Sequence, residues 1–455
     1  MADVVTAAGN IVTERIVPPA TVFTVPAGTE MTMDLLQDLI GKHKTEVQHR
    51  LSKFNDAYLN RYEIYRQANK AAYKPDNRLS VNYAKYIVDT MTGFFAGIPV
   101  AVTSSEENVA EFLQAFNARN GLEDDLSELA KEASIFGTVV QMIYTDEEAR
   151  ICIQPVSAME SFMVYDTSIL QRPMFFIRYY KDEDGKEVGS WSDSRVVQHF
   201  AESAGGYRAV DEAKLHGFDG VPAVEFIDNE ERMSLFESVL PLINAYNKVI
   251  SEKANDVDYF ADAYLKILGA KLNDNEIQNL RDNRIINFEG DFDKLPEVEF
   301  LQKPEADATQ EHLLDRLQQM IFETSMVADI NDINFGTASG IAIKYRLWAM
   351  SSLAKTKERK FTRSLQNMYR LVFSSPLMPA GIPEDSWATI DYIFQLNYPA
   401  NLLEETEIAK NLAGIVSKET QMAVLSIIGD PAAEMEKIEE EQASQMADLF
   451  PLATE

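Results

Sequence analysis

Cysteine is almost absent. Cys152 stands alone in 455 residues, so no intramolecular disulfide can form and nothing indicates an oxidising compartment. Its neighbours, Arg150-Ile-Cys-Ile-Gln154, alternate like a strand, and a lone thiol there is expected to be a packed core side chain, not a nucleophile. Histidine is scarce too. His43, His49, His199, His216 and His312 are scattered without metal-ligand spacing, and no metal or cofactor is expected. The P-loop, the dinucleotide-binding glycine pattern, the nucleophile elbow and the zincin helix are all missing, which argues against an enzyme. No run approaches the roughly 18–20 apolar residues that span a bilayer. The N-terminus has no signal-peptide pattern, because Asp3 precedes any cation and Pro18-Pro19 interrupts the apolar stretch. The expectation is a soluble protein made in a cytoplasm, without membrane contact.

Positive charge is also in short supply, and it is unevenly placed. Lys and Arg total 42 against 72 Asp and Glu, a net charge of −30. Between 341 and 373 the balance reverses: Lys344, Arg346, Lys355, Lys357, Arg359, Lys360, Arg363 and Arg370 face the single acid Glu358. Eight cations less one acid leave +7 in that segment and −37 in the remainder. Such a chain is poorly suited to gripping nucleic acid or an anionic membrane, although it suits one that lets DNA pass. The cluster could track phosphates. Its cations fall on several helix faces, however, which favours pairing with acidic surfaces within the subunit or on a neighbouring copy.

Hydrophobic periodicity divides the chain. Residues 1–30 are rich in Thr, Val and Pro without a period and read as an extended or disordered arm. Helices are expected over 33–70, 82–96 and 107–136. Strands are expected over 138–144, 150–154, 161–165, 174–181, 196–201 and 223–227, which makes the first half a mixed α+β domain. Asp228-Asn-Glu-Glu231 reads as an acidic start to a long helix, with an apolar stripe from Phe236 through Ile243, Ile250 and Val257 to Tyr264 and a possible kink at Pro241. Strand-like pieces follow at 264–268, 284–288 and 297–301. Helix resumes near Asp307, with Leu313, Leu314, Leu317, Met320 and Ile321 on one face. After the basic helix come a strand at 388–395 and helices at 402–416, 418–428 (N-cap Ser417) and 431–446. Seven acids against Lys437 between 434 and 455 make an acidic tail.

The loop Asp329-Ile-Asn-Asp-Ile-Asn-Phe335, followed by Gly-Thr-Ala-Ser-Gly340, lacks the EF-hand register. It reads as an Asx-stabilised turn, or as a loop held out into a space with Ile330, Ile333 and Phe335 between polar neighbours. A metal-dependent hydrolase using Asp329, Asp332 and Asp291 is the enzymatic alternative.

The ordered set of segments resembles the portal proteins of tailed double-stranded-DNA bacteriophages, in particular siphophages of Gram-positive hosts. Asn77-Arg-Leu-Ser-Val-Asn-Tyr-Ala-Lys-Tyr-Ile-Val-Asp89 up to Gly97-Ile-Pro99 is similar to the early helix of that family. The stretch 254–269 resembles its stem helix entering the clip, 332–346 its tunnel loop and following helix, and 417–434 its C-terminal crown. The resemblance implies an α+β portal fold assembling as a ring. Its parts would be an arm at 1–30, a wing at 31–232, stem helices at 233–263 and 307–328 around a clip at 264–306, a tunnel loop at 329–340, a long basic helix with the rest of the wing at 341–401, and a crown and tail at 402–455.

That resemblance also implies a role. A ring, usually of twelve, would sit at one capsid vertex of the virion after assembly in the host cytoplasm. It would seed procapsid assembly with major capsid and scaffolding proteins, dock terminase, pass double-stranded DNA through its channel, and then bind head-tail adaptor proteins. Asp329, Ile330, Asn331, Asp332, Ile333, Asn334 and Phe335 would form the channel loop. Lys344, Arg346, Lys355, Lys357, Arg359, Lys360 and Arg363 would brace subunits, and Lys271, Arg281, Arg284 and Lys294 are candidates for clip docking. Another minor head protein is the remaining alternative.

Overall fold

The computed structural model describes residues 22–71, 74–261, 265–268, 297–300, 307–330, 345, 347–398 and 402–425, with scattered positions from 427 to 438. It is an α+β chain in which a helical core and a large, mostly antiparallel sheet share the first half.

The chain enters as strand β1 (Phe23–Val25), which pairs in parallel with β5 (Ser161–Asp166). This part of the expected arm is therefore docked, because Phe23 and Val25 alternate inward and bury beside Leu36, Ile40 and Phe162. Helix α1 (Met33–Lys42) is capped by Thr32, whose hydroxyl accepts from the Leu35 amide at 3.2 Å. It widens through a π turn at His43–Gln48 and continues as α2 (His49–Tyr58). The helix ends there, short of the expected residue 70, because Asn60 takes a left-handed conformation (φ 61°).

Helix α3 (Tyr83–Phe95) follows, then strand β2 (Ala101–Ser104), α4 (Glu107–Asn120) and α5 (Leu122–Phe136). One helix was expected over 107–136; Gly121 (φ 64°) divides it into two. Strands β3 (Thr138–Thr145) and β4 (Ile151–Val156) join β11 (Ala223–Ile227) in a three-stranded sheet against α5. Strands β6 (Pro173–Lys181), β7 (Glu187–Ser192), β8 (Val196–Ser203), β9 (Gly206–Ala209) and β10 (Lys214–Leu215) complete the larger sheet, in the order β1-β5-β6-β7-β8-β10 with β9 also on β8. Helix α1 lies on this sheet over Phe175, Ile177, Tyr179, Trp191 and Phe200. Each such ring or aliphatic chain contributes about 1.5–3 kcal/mol when taken from water.

The long helix α6 runs over Leu240–Ala261, preceded by a 3₁₀ turn at Glu237–Val239. The expected start at 233 is instead a series of turns. Pro241 sits in the first helical turn, where its missing N–H costs nothing. Helix α7 (Asp307–Ser325) packs along α6, burying Leu314, Leu317 and Ile321 while Leu313 remains exposed. Between them β12 (Leu265–Leu268) pairs antiparallel with β13 (Glu297–Phe300).

Helix α8 (Trp348–Phe373) crosses the main core, burying Phe361, Leu365, Met368 and Tyr369. Strand β14 (Ile390–Ile393) then pairs with β2. Helix α9 (Leu402–Leu412) is followed by α10 (Lys418–Met422), whose N-cap is Ser417 as expected; its hydroxyl accepts from the Thr420 amide. Among the described residues no helix is long and apolar enough to cross a membrane.

Candidate functional site

Three helices meet at the base of the Asx-rich loop. Tyr83 of α3 stands edge-on to Tyr246 of α6 and Phe322 of α7, with centroids 5.1 and 5.6 Å apart, and Tyr86 is edge-on to the same Phe322 at 5.5 Å. After α7 the chain turns through Met326 in a left-handed conformation (φ 59°). The Tyr86 hydroxyl then accepts from the Ile330 amide at 2.9 Å and points its own proton toward Asp329 Oδ1 at 3.4 Å. Gln318 Nε2 donates to the other Asp329 oxygen at 3.0 Å. Asp329 is thus an anchor of the loop, whereas the Ile330 side chain is 52% exposed. Asn331, Asp332, Ile333, Asn334 and Phe335 lie outside the described residues.

The inner face of α6 departs from its expected apolar stripe. Beyond Ile243 the buried positions are Asn247, Ser251 and Asn255, four residues apart, whereas Val257 is 62% exposed. These polar side chains hold the extended segment that leads into α3. Val81 N–H donates to Asn247 Oδ1 at 2.8 Å, Leu79 N–H to Ser251 Oγ at 2.9 Å, and Asn77 N–H to Asn255 Oδ1 at 2.6 Å. Four helical residues rise about 6 Å, and two extended residues about 6.6 Å, so the two repeats stay in step over three rungs. Lys70 with Glu252, and Asn77 with Asp258, extend the attachment. A search for apolar periodicity passes over this ladder; the signal available was the i, i+4, i+8 recurrence of Asn, Ser and Asn.

The cations of α8 separate into an inner and an outer set. Lys357 turns inward and forms an ion pair with Asp228 at 2.7 Å. Its ammonium also donates to the Ala130 carbonyl at 2.8 Å and to Ser134 Oγ at 2.6 Å, and lies 5.4 Å from the ring centres of Phe95 and Phe361. Lys360 pairs with Glu230. Asp228-Asn-Glu-Glu231 is therefore not a helix start but a turn that meets α8. Lys355 pairs with Glu358 on its own helix at 2.6 Å. Arg359 and Arg363 are exposed and lie one turn apart. Lys344 and Arg346 lie outside the described residues, as do Lys271, Arg281, Arg284 and Lys294.

Behind this turn sit two more ion pairs. Arg232 Nε and Nη2 each donate to Glu225 at 2.7 Å, while Tyr165 and Thr138 donate to the same carboxylate. Burial opposes ionisation of Glu225, but Arg232, Tyr165 and Thr138 outweigh it and hold its carboxyl below the usual range. Arg50 forms a buried bidentate pair with Glu237 and donates to the Arg232 carbonyl at 3.3 Å. Gly137 is required here, because a Cβ would fall 2.1 Å from the Arg232 oxygen.

Cys152 is half-buried rather than in the core, with Sγ 3.6 Å from Asp146 Oδ2; burial and that carboxylate push its thiol pKa up. Buried His43 shares a hydrogen bond of 2.7 Å between Nδ1 and the Tyr179 hydroxyl and stacks on Phe162. Among the described residues, no group of three His, Cys, Asp or Glu is placed to hold a metal ion. What the arrangement offers is a packed helix pair, an anchored Asp329–Ile330 segment at its end, and a set of buried ion pairs behind it.

The family described as phage portal protein, SPP1 Gp6-like, matches residues 37–448. The portal protein of Bacillus phage SPP1 is 26% identical over 459 residues, covering 91% of this chain and 87% of its own length. The portal protein of Clostridium phage phiCD119 is 24% identical over 409 residues, covering 84% and 89%.

Proposed function

The chain belongs to the SPP1 Gp6-like family of phage portal proteins, and on that premise we propose that it forms the ring-shaped channel at one capsid vertex through which double-stranded DNA is packaged and ejected. The observation that carries this reading is the extent of the match, residues 37–448, which takes in every described element from α2 to α10. The ring, of about twelve copies, acts as a structural channel, not as an enzyme. Its partners are terminase during packaging, head-tail adaptor proteins afterwards, and the capsid and scaffolding proteins with which it seeds the procapsid.

The parts are assigned by position. Helices α6 and α7 are the stem, and the chain between them, with the β12–β13 pair, is the clip. Residues 329–340 are the tunnel loop, the region from 402 onward is the crown, and the two sheets with α1–α5 and α8 are the wing. The tyrosine cluster and the Tyr86–Ile330 hydrogen bond support the loop assignment, because they fix its base where wing helix α3 meets the two stem helices and leave the Ile330 side chain exposed. A charge of −30 per subunit makes the ring strongly negative, which disfavours adhesion of a moving phosphate backbone. The α8 cations act as the brace, Lys357 and Lys360 within the subunit and the outward set toward a neighbour.

Immunogold labelling of particles tests the placement: label is expected at a single vertex, and label spread over the shell would mark another head protein. Deleting Asp332 to Phe335 is expected to leave assembly intact and impair packaging. Undiminished packaging would remove the tunnel-loop assignment.

A further inference from the structure

The outward set on α8 has no acidic partner adequate to it. Among the described residues no carboxylate forms an ion pair with Arg359 or Arg363; the acid whose charge Arg363 touches, Glu230, is already held by Lys360. Around the two arginines Ser352, Thr356, Gln366 and Asn367 are exposed and polar, and the exposed charges nearby are cations, Lys355 (held by Glu358) and Arg370. Two arginines one turn apart on a helix, about 6 Å along its axis, present planar forks suited to carboxylates.

The same chain carries a surface of the opposite kind. A groove of about 1030 Å³ runs between α4, the start of α5 and β2. Small residues such as Ala101 and Ala118 line it beside Thr103 and Gln114, so another helix can approach closely. Glu123 and Asp124 stand exposed at its border, with no basic partner among the described residues. Burial and the charge of Asp124 raise the neighbouring Asp125 carboxyl to about 6.

We propose that Arg359 and Arg363 on the outer face of α8 dock against Glu123 and Asp124 in the groove of a second copy of this chain. The inference rests on the ring-forming reading and names the surfaces that meet. Charge complementarity selects the occupant: the 341–373 segment carries +7 and the rest of the chain −37, so a second copy presents α8 with an acidic surface. Two different surfaces in contact make a head-to-tail interface, the kind that closes into a ring. Nucleic acid is the weaker candidate, because the rest of the chain repels it.

Charge exchange tests the pairing. Arg359→Glu/Arg363→Glu and Glu123→Lys/Asp124→Lys are each expected to shift the ring peak to monomer in multi-angle light scattering at low salt, with circular dichroism unchanged. The four-fold variant carrying both changes is expected to recover the ring. Rings that tolerate either reversal, or a four-fold variant that stays monomeric, would overturn the pairing. So would an Arg359→Glu/Arg363→Glu ring that is intact but has lost retention of a DNA duplex. A wild-type chain that never forms rings would instead sink the portal reading, and this pairing with it.

Discussion

Lys357 Nζ lies 2.7 Å from Asp228 Oδ1, with the two side chains only 3% and 4% exposed. The pair joins α8 to the turn that ends β11, and through Ser134 and Ala130 it reaches α5. Removing one charge strands the other in the core. Lys357→Met is expected to destabilise the fold by about 3–5 kcal/mol in urea unfolding. Lys357→Met with Asp228→Leu is expected to recover much of that loss, and no recovery would show that the pair is not what holds the turn.

The ladder on α6 predicts slow hydrogen exchange at Val81, Leu79 and Asn77, although these amides lie outside any helix or sheet. Ser251→Ala removes the acceptor for Leu79 N–H and a hydroxyl whose one proton is shared between the Asn247 and Leu79 carbonyls. A cost of about 1–3 kcal/mol is expected, with faster exchange centred on Leu79. Equal exchange in both proteins would contradict the ladder.

His43 gives the fold an acid-sensitive joint. Burial, aided by Lys44 and opposed by a hydrogen bond to Ala158, lowers its pKa from 6.5 to about 4. The folded state therefore holds fewer protons than the unfolded state between those values. The associated stability, at most about 3 kcal/mol, is present above pH 6.5 and is lost as pH falls through about 4. Since His43 packs on Phe23 and Phe162, β1 should loosen first. His43→Phe is expected to flatten the decline in Tm between pH 6.5 and 4, and an unaltered slope would count against it.

Asp125 works in the opposite sense. Its folded pKa is raised to about 6 by burial and Asp124, so its contribution is most favourable below pH 3.8 and is lost as pH rises through about 6. Asp125→Asn, which can keep a contact with Gln141, is expected to raise Tm at pH 8 and to have little effect at pH 4. A lower Tm at pH 8 would contradict this.

Much of the fold was legible where side-chain period and burial coincide. Ile87, Val88, Met91, Phe94 and Phe95 marked α3, and the alternation in 138–144 and 223–227 marked β3 and β11. Short strands held by tertiary pairing were missed: β2, β7, β9, β10 and β1, the last hidden in a segment read as an arm. The basic segment stood out by charge, yet composition could not separate the inward Lys357 from the outward Arg359, which depends on what α8 packs against. Asp228-Asn-Glu-Glu231 misled because an acidic turn and an acidic helix start look alike until their partners are known. The polar ladder was invisible because hydrophobic periodicity counts only apolar residues.

The mass of the purified full-length chain in solution, followed by multi-angle light scattering across a concentration series, tests the central claim most directly. Association into rings near 600 kDa, about twelve copies of 51.3 kDa, is predicted. A chain that stays at 51.3 kDa at every concentration and salt would contradict it.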